Sequence, residues 1–261
     1  VNSSRSRLVT FAATCGLVLS LAACASSIEV ALPSNAATTS GTASSAPTPP
    51  ASNSSASSTS SDSTTPTVDA LTQQITANFN RAKSAHLVGT YTKDGETRKL
   101  DISGAVDGSN QRTVLTIDKD NVKAEIRTVG DRVYVNGNEG YYRTSGVPSS
   151  RAKQVAGRWL SVPAITAGSL TKEFSLRTIF TDLASNIAKS RNAGLTVTGS
   201  TRNGQKVWQA ANAQTTIVVA ADGSGRLVSA SNNGLLNTQA YTFDQWDSAP
   251  TVEVPADAIT T

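Results

Sequence analysis

Few of the residue types that carry enzyme chemistry are present: two cysteines, one histidine, and carboxylates scattered singly. A zinc site needs several His or Cys ligands close together, and Cys15, Cys24 and His86 do not supply them. A Ser-His-Asp triad would have to be built on His86, yet no Gly-x-Ser-x-Gly turn accompanies it. It sits where a first helix meets a first strand, a place for packing or capping. No Gly-rich loop follows a strand and opens a helix, as phosphate binding requires. Asp101, Asp118, Asp120, Glu125 and Asp131 fall at turns and on wet strand faces, without the spacing of a glycosidase pair. The chain therefore predicts no enzyme activity, no metal and no cofactor. Lys119, Lys123 and Arg127 are spaced to form a basic strip toward anionic headgroups, but a solvated face explains them more simply.

Cys24 is the residue whose setting does point to chemistry. Arg5 and Arg7 precede a run, Leu8 to Ala23, without a charged residue, and the run ends in Leu21-Ala22-Ala23-Cys24. A short basic region, an apolar stretch and small residues before a cut make a secretory signal. The run is shorter than the roughly 20 residues that a membrane span needs. The cysteine after Leu-Ala-Ala resembles the bacterial lipobox, in which lipid is joined to the thiol and the chain is cut ahead of it. The expectation is a signal peptide over residues 1–23 and an exported chain held on the outer face of the cell membrane by diacylglycerol and palmitate on Cys24. Cys15 would leave with the signal, so the mature chain has no second thiol for a disulfide. Cutting also removes Arg5 and Arg7 and takes the formal charge from +4 to +2. That small excess, in that compartment, argues against a nucleic-acid partner.

Residues 24–66 comprise the lipidated cysteine and a Ser/Thr/Ala/Pro-rich segment without aromatic residues, Lys or Arg. Such a composition buries too little apolar area to offset chain entropy, so the expectation is a disordered tether. As a flexible coil it would hold the domain roughly 35 Å from its anchor. Of the 13 aromatic residues, 12 fall at or beyond Phe79, and residues 67–261 are of a size for one domain with one core.

Within it, Val68, Leu71, Ile75, Phe79 and Ala82 recur at helical spacing. Strand alternation follows, as in Val122, Ala124, Ile126 and Thr128 against Lys123, Glu125 and Arg127. Gly-containing turns at 93–95, 106–108, 129–131 and 136–137 divide the strands. A polar stretch interrupts this meander. Leu176, Ile179, Phe180, Leu183 and Ile187 then make a second helical stripe, with Ser175 as its N-cap. Strands resume at 195–200, 206–211, 215–221, 226–232 and 238–246, with Asn203-Gly204 and Asp222-Gly223 as hairpin turns. The predicted fold class is α+β: a single strongly curved antiparallel sheet covered by two main helices.

Several phrases carry a resemblance: Ser84-Ala85-His86-Leu87-Val88-Gly89-Thr90-Tyr91, Val129-Gly130-Asp131-Arg132-Val133-Tyr134-Val135, Gly157-Arg158-Trp159, and the helix at 176–189. In this order they resemble actinobacterial lipoproteins of the LppX and LprG type and, more distantly, LolA and LolB, over roughly residues 67–250. The resemblance implies an incomplete barrel with helices on its concave side and an apolar cavity between them that takes acyl chains. It implies a carrier of lipid, lipoglycan or another amphipathic ligand in the cell envelope. Candidate lining residues are Leu115, Ile117, Ile126 and Val133 on the sheet, and Ile179, Phe180, Leu183 and Ile187 on the helix. Trp159 and Trp208 are large enough to shape or close such a cavity. Thr and Ser at many inward strand positions leave a second expectation: a filled core, and an interaction module presented to an envelope protein.

Overall fold

The computed structural model describes residues 65–260, apart from 94 and 235–237. The expected signal peptide, Cys24 and the tether up to residue 64 lie outside the described residues.

Helix α1 (Val68–Arg81) starts where Thr67 Oγ1 accepts from the Ala70 N–H at 3.1 Å, and its stripe Leu71, Ile75 and Phe79 is buried. Five antiparallel strands follow as a meander: β1 (Ser84–Lys93), β2 (Glu96–Ala105), β3 (Asn110–Ile117), β4 (Val122–Val129) and β5 (Arg132–Gly137). The interruption expected after β5 contains two short helices, α2 (Glu139–Thr144) and α3 (Ser149–Val155), then strand β6 (Trp159–Pro163) paired to β5. After α4 (Gly168–Glu173) comes the second long helix, α5 (Leu176–Ser190), capped by Ser175 Oγ at the Thr178 N–H. A second meander closes the domain: β7 (Thr196–Arg202), β8 (Gln205–Ala211), β9 (Thr215–Ala220), β10 (Leu227–Asn233) and β11 (Thr238–Asp244). The two-residue β12 (Ile259–Thr260) then lies parallel to β6.

These twelve strands form a single open, curled sheet in the order β12-β6-β5-β4-β3-β2-β1-β11-β10-β9-β8-β7. The two meanders join through β1 and β11, with Leu87 opposite Phe243 and His86 opposite Asp244. Strand side chains alternate between faces, and one face turns to α1 and α5. Phe79 and Phe180 stack there with centroids 4.4 Å apart, and Trp246 stands 5.4 Å from Phe180 and 5.9 Å from Phe243. The Trp246 indole N–H donates to the Leu227 carbonyl at 3.1 Å, so the ring buries without losing its polar partner. One contact needs glycine: a Cβ on Gly225, at φ +71°, would stand 2.1 Å from the Gln74 carbonyl oxygen. The β9–β10 turn therefore presses directly on the α1 backbone, and the Arg81 guanidinium donates to Ser224 O beside it.

The α4–α5 junction is seated on the sheet by one buried side chain. Gln111 Nε2 donates to Phe174 O at 2.8 Å, while its Oε1 accepts from the Leu176 N–H at 3.0 Å. On the opposite, convex face the C-terminal segment is clamped by Asn110. Its amide accepts from the Val252 N–H at 2.7 Å and donates to Val252 O at 2.9 Å.

The convex face also carries a ladder of charges across successive strands. His86 Nδ1 lies 2.6 Å from Asp244 and its Nε2 lies 3.4 Å from Asp101. Arg112 links Asp101 to Glu125, which also accepts from Arg127 at 2.8 Å. Burial pushes the Glu125 carboxyl up, but the two guanidiniums outweigh it and hold the group below its ordinary value. A depressed folded-state value stabilises above the unfolded carboxylate range, about pH 4, and that contribution fades as pH falls through the lower value. Glu125→Gln should therefore lower the melting temperature at neutral pH, by an amount worth at most about 1 kcal/mol for so exposed a pair. In acid below the folded-state value the variant and wild type should melt together; a gap that persists there would show that the ion pairs are not its source.

Candidate ligand-binding site

The aromatic stack fills the centre between helices and sheet, and the open space lies to one side of it, along α5. A hollow of about 250 Å³ has α5 as one wall, with Ile179, Asp182, Asn186 and Lys189, and β11 as the other, with Gln239 and Tyr241. A second hollow of about 50 Å³ adjoins it and is also open to solvent, lined by Leu183, Ile187, Ile217 and Ala230 with Thr215 and Asn232. Leu183, Asn186, Gln239 and Tyr241 border both. The result is a cleft with an apolar floor and a polar rim, at the small end of ligand-site volumes.

Helix periodicity builds the first wall. Ile179, Leu183 and Ile187 form the apolar stripe, and Asp182, Ser185, Asn186 and Lys189 recur at three- and four-residue steps on its shoulder. Register builds the second. Gln239 and Tyr241 share one face of β11, and Tyr241 stands opposite Gly89 of β1. A Cβ on residue 89 would fall 2.2 Å from the Tyr241 ring, so glycine lets the ring lie against the sheet. Burial, then the neighbouring Tyr91 and Asp182, push the Tyr241 phenol up to about 12, so it stays neutral across ordinary pH.

Of the candidates read from sequence, Ile179, Leu183 and Ile187 come together on this cleft. Leu115, Ile126 and Val133 are buried in the core with Phe180, and Ile117 and Trp208 pack half-buried against it. These residues line neither hollow. Trp159 lies elsewhere than expected. Leu160 and Val162 pair with the core-facing Val135 and Val133, which leaves Trp159 opposite Asn136 on the convex face. There it receives the Arg127 guanidinium 4.8 Å from its ring centroid, a cation–π contact. Sequence reading missed Asn186, Lys189, Gln239 and Tyr241. The polar shoulder of α5 is a legible signal for the first two, while the β11 pair depends on long-range register.

Several of the charged residues singled out in the sequence sit in local pairs. His86 has a carboxylate orienting Nδ1, as in a triad, but its Nε2 meets Asp101, and the Ser103 hydroxyl across the strand has no hydrogen-bond partner. Of the basic strip, Lys119 is bound to Glu96 at 2.9 Å and Arg127 to Glu125, while Lys123 makes no ion pair with a described residue. Among the described residues no group of three or more His, Cys, Asp or Glu side chains is placed to hold a metal, and no helix is long and apolar enough to cross a membrane.

No family model matches the chain, and no curated protein matches it. Solved structures do. The lipoprotein LppX of Mycobacterium tuberculosis is similar at 16% identity and a TM-score of 0.44, over 71% of this chain and 98% of that one. LprF from Mycobacterium bovis is similar at 14% identity and 0.45, over 74% and 100%. An uncharacterized conserved protein from Thermus thermophilus follows at 6% and 0.33, over 74% and 98%. The type named from the sequence, LppX and LprG, is represented among these similar structures by LppX.

Proposed function

We propose that this chain is an exported lipoprotein, cut before Cys24 and tethered by lipid to the outer face of the cell membrane. Its domain takes an amphipathic ligand, such as a lipid or lipoglycan, into the cleft between α5 and β11. The cleft carries the reading: an apolar floor of Leu183, Ile187, Ile217 and Ala230 lies under a rim of Asp182, Lys189 and Gln239. A molecule with one apolar and one polar end satisfies both. Export and the lipid anchor rest on the leader and on Cys24, and no catalytic role is part of the proposal.

A second reading, an interaction module presented to an envelope protein, is favoured by the ring stack of Phe79, Phe180, Phe243 and Trp246 that fills the centre. Mass spectrometry on the full chain, expressed with its own leader in a bacterium, separates the two. Under denaturing conditions the expected product begins at Cys24 and carries diacylglycerol, and Cys24→Ala stays full-length without it. Under native conditions a further mass of lipid size, lost on organic extraction, is expected. Normal maturation of the Cys24→Ala variant would sink the tether. A bare native mass, with no uptake of added lipid, would favour the interaction module.

A further inference from the structure

The two hollows share as a border a side chain that no hydrogen bond among the described residues holds in place. Tyr241 borders both, as do Leu183, Asn186 and Gln239, while Ile217 and Ala230 line only the one and Ile179 and Asp182 only the other. Its ring lies in the space that any side chain on Gly89 would take, 2.2 Å and 2.6 Å from a Cβ there to Cδ1 and Cε1. Phe243 is 6.5 Å away and tilted by 49°, which is not a stacked clamp. The Tyr241 hydroxyl makes no hydrogen bond to a described residue. Shape alone seats the ring, so turning it between staggered positions breaks no polar contact.

We infer that the Tyr241 ring is the gate between the two hollows and sets the length of apolar chain that the cleft admits. The inference rests on the amphiphile reading above. With the ring against β1, an apolar chain entering past Ile179 ends on it. With the ring turned away or removed, the chain continues over Leu183 to Ile217 and Ala230. Each further methylene that leaves water strengthens binding roughly fourfold, so the gate acts on long chains and spares short ones. Gly89 is the positioning residue, because the ring can lie flat only where no Cβ projects.

The test is calorimetric titration of the full chain with octanoate, laurate and palmitate, in wild type and in Tyr241→Ala, Tyr241→Leu and Tyr241→Phe. The leucine variant keeps apolar packing against Phe243 in case the alanine variant folds poorly. In both ringless variants the palmitate-to-octanoate affinity ratio should rise at least about tenfold. Tyr241→Phe should leave the ratio unchanged, since the hydroxyl is not what holds the ring. Binding with the same ratio in all four proteins would overturn the gate and leave the amphiphile reading standing. A ratio that moves with Tyr241→Phe as well would place selectivity in the hydroxyl and also overturn it. Absence of binding by every form would overturn both.

Discussion

Phe180→Ala should destabilise the domain by about 3–5 kcal/mol. The side chain is 2% exposed and touches three other rings: Phe79 at 4.4 Å, Trp246 at 5.4 Å and Phe243 at 6.2 Å. Those partners come from α1, from β11 and from the residues just after β11, so the ring joins α5 both to the first helix and to the sheet. Removing it leaves a cavity that none of these elements can close alone, and the cavity adds to the lost transfer energy. Urea unfolding followed by tryptophan fluorescence would read the loss directly, since Trp246 is one of the rings exposed. Val88→Ala is the contrast. That side chain is 44% exposed on the convex face, and its removal should stay within about 0.5 kcal/mol. A loss at Phe180 no greater than at Val88 would mean that the stack does not hold the helices to the sheet.

What could be read without coordinates follows from how far each signal reaches along the chain. The helices α1 and α5 each bury a stripe written at three- and four-residue steps, and a step of that size is visible in any window of a dozen residues. The five-strand meander is equally local, because three of its four turns carry glycine, the fourth has Asn121 at φ 49°, and each strand alternates. By contrast α2, α3 and α4 have only six or seven residues each, too few turns to write a stripe, so they read as polar loop. Strand β6 was hidden in the same stretch. Its register then decides which way Trp159 points, and a slip of one residue would turn the ring to the other face. The cleft itself was the least legible part. One wall is a helix face, which could be drawn, but the other exists only because β1 pairs with β11, far along the chain. Nothing local says that Gly89 will face Tyr241. Alternation could suggest that Tyr241 and Phe243 share a face, not that the first borders open space while the second is buried in the ring stack.

Gln111→Leu should cost about 2–4 kcal/mol, although it replaces one buried side chain with another of similar size. Gln111 is 5% exposed and works as a connector in both senses of the hydrogen bond. The first N–H groups of a helix have no partner within it, and at α5 the Leu176 N–H is given one by Gln111 Oε1 at 3.0 Å. The amide on the other side of the same group donates to the Phe174 carbonyl at 2.8 Å, just before the cap. Leucine would fill the space yet leave a buried donor and a buried acceptor without partners, and Leu176 is fully buried, so water cannot replace them. Hydrogen exchange makes the claim specific: the Leu176 amide and the first turn of α5 should lose protection more than α1 does. Gln111→Glu separates the two bonds, because a carboxylate can accept from Leu176 but cannot donate to Phe174. It should restore little, since burying a charge beside a carbonyl adds its own cost. Gln111 lies outside the cleft, yet α5 is one of its walls, so a helix that frays from this end should also bind amphiphile more weakly. If stability falls while α5 protection and ligand affinity stay at wild-type values, the helix is held in place by its apolar stripe alone, and Gln111 serves only the strand on which it sits.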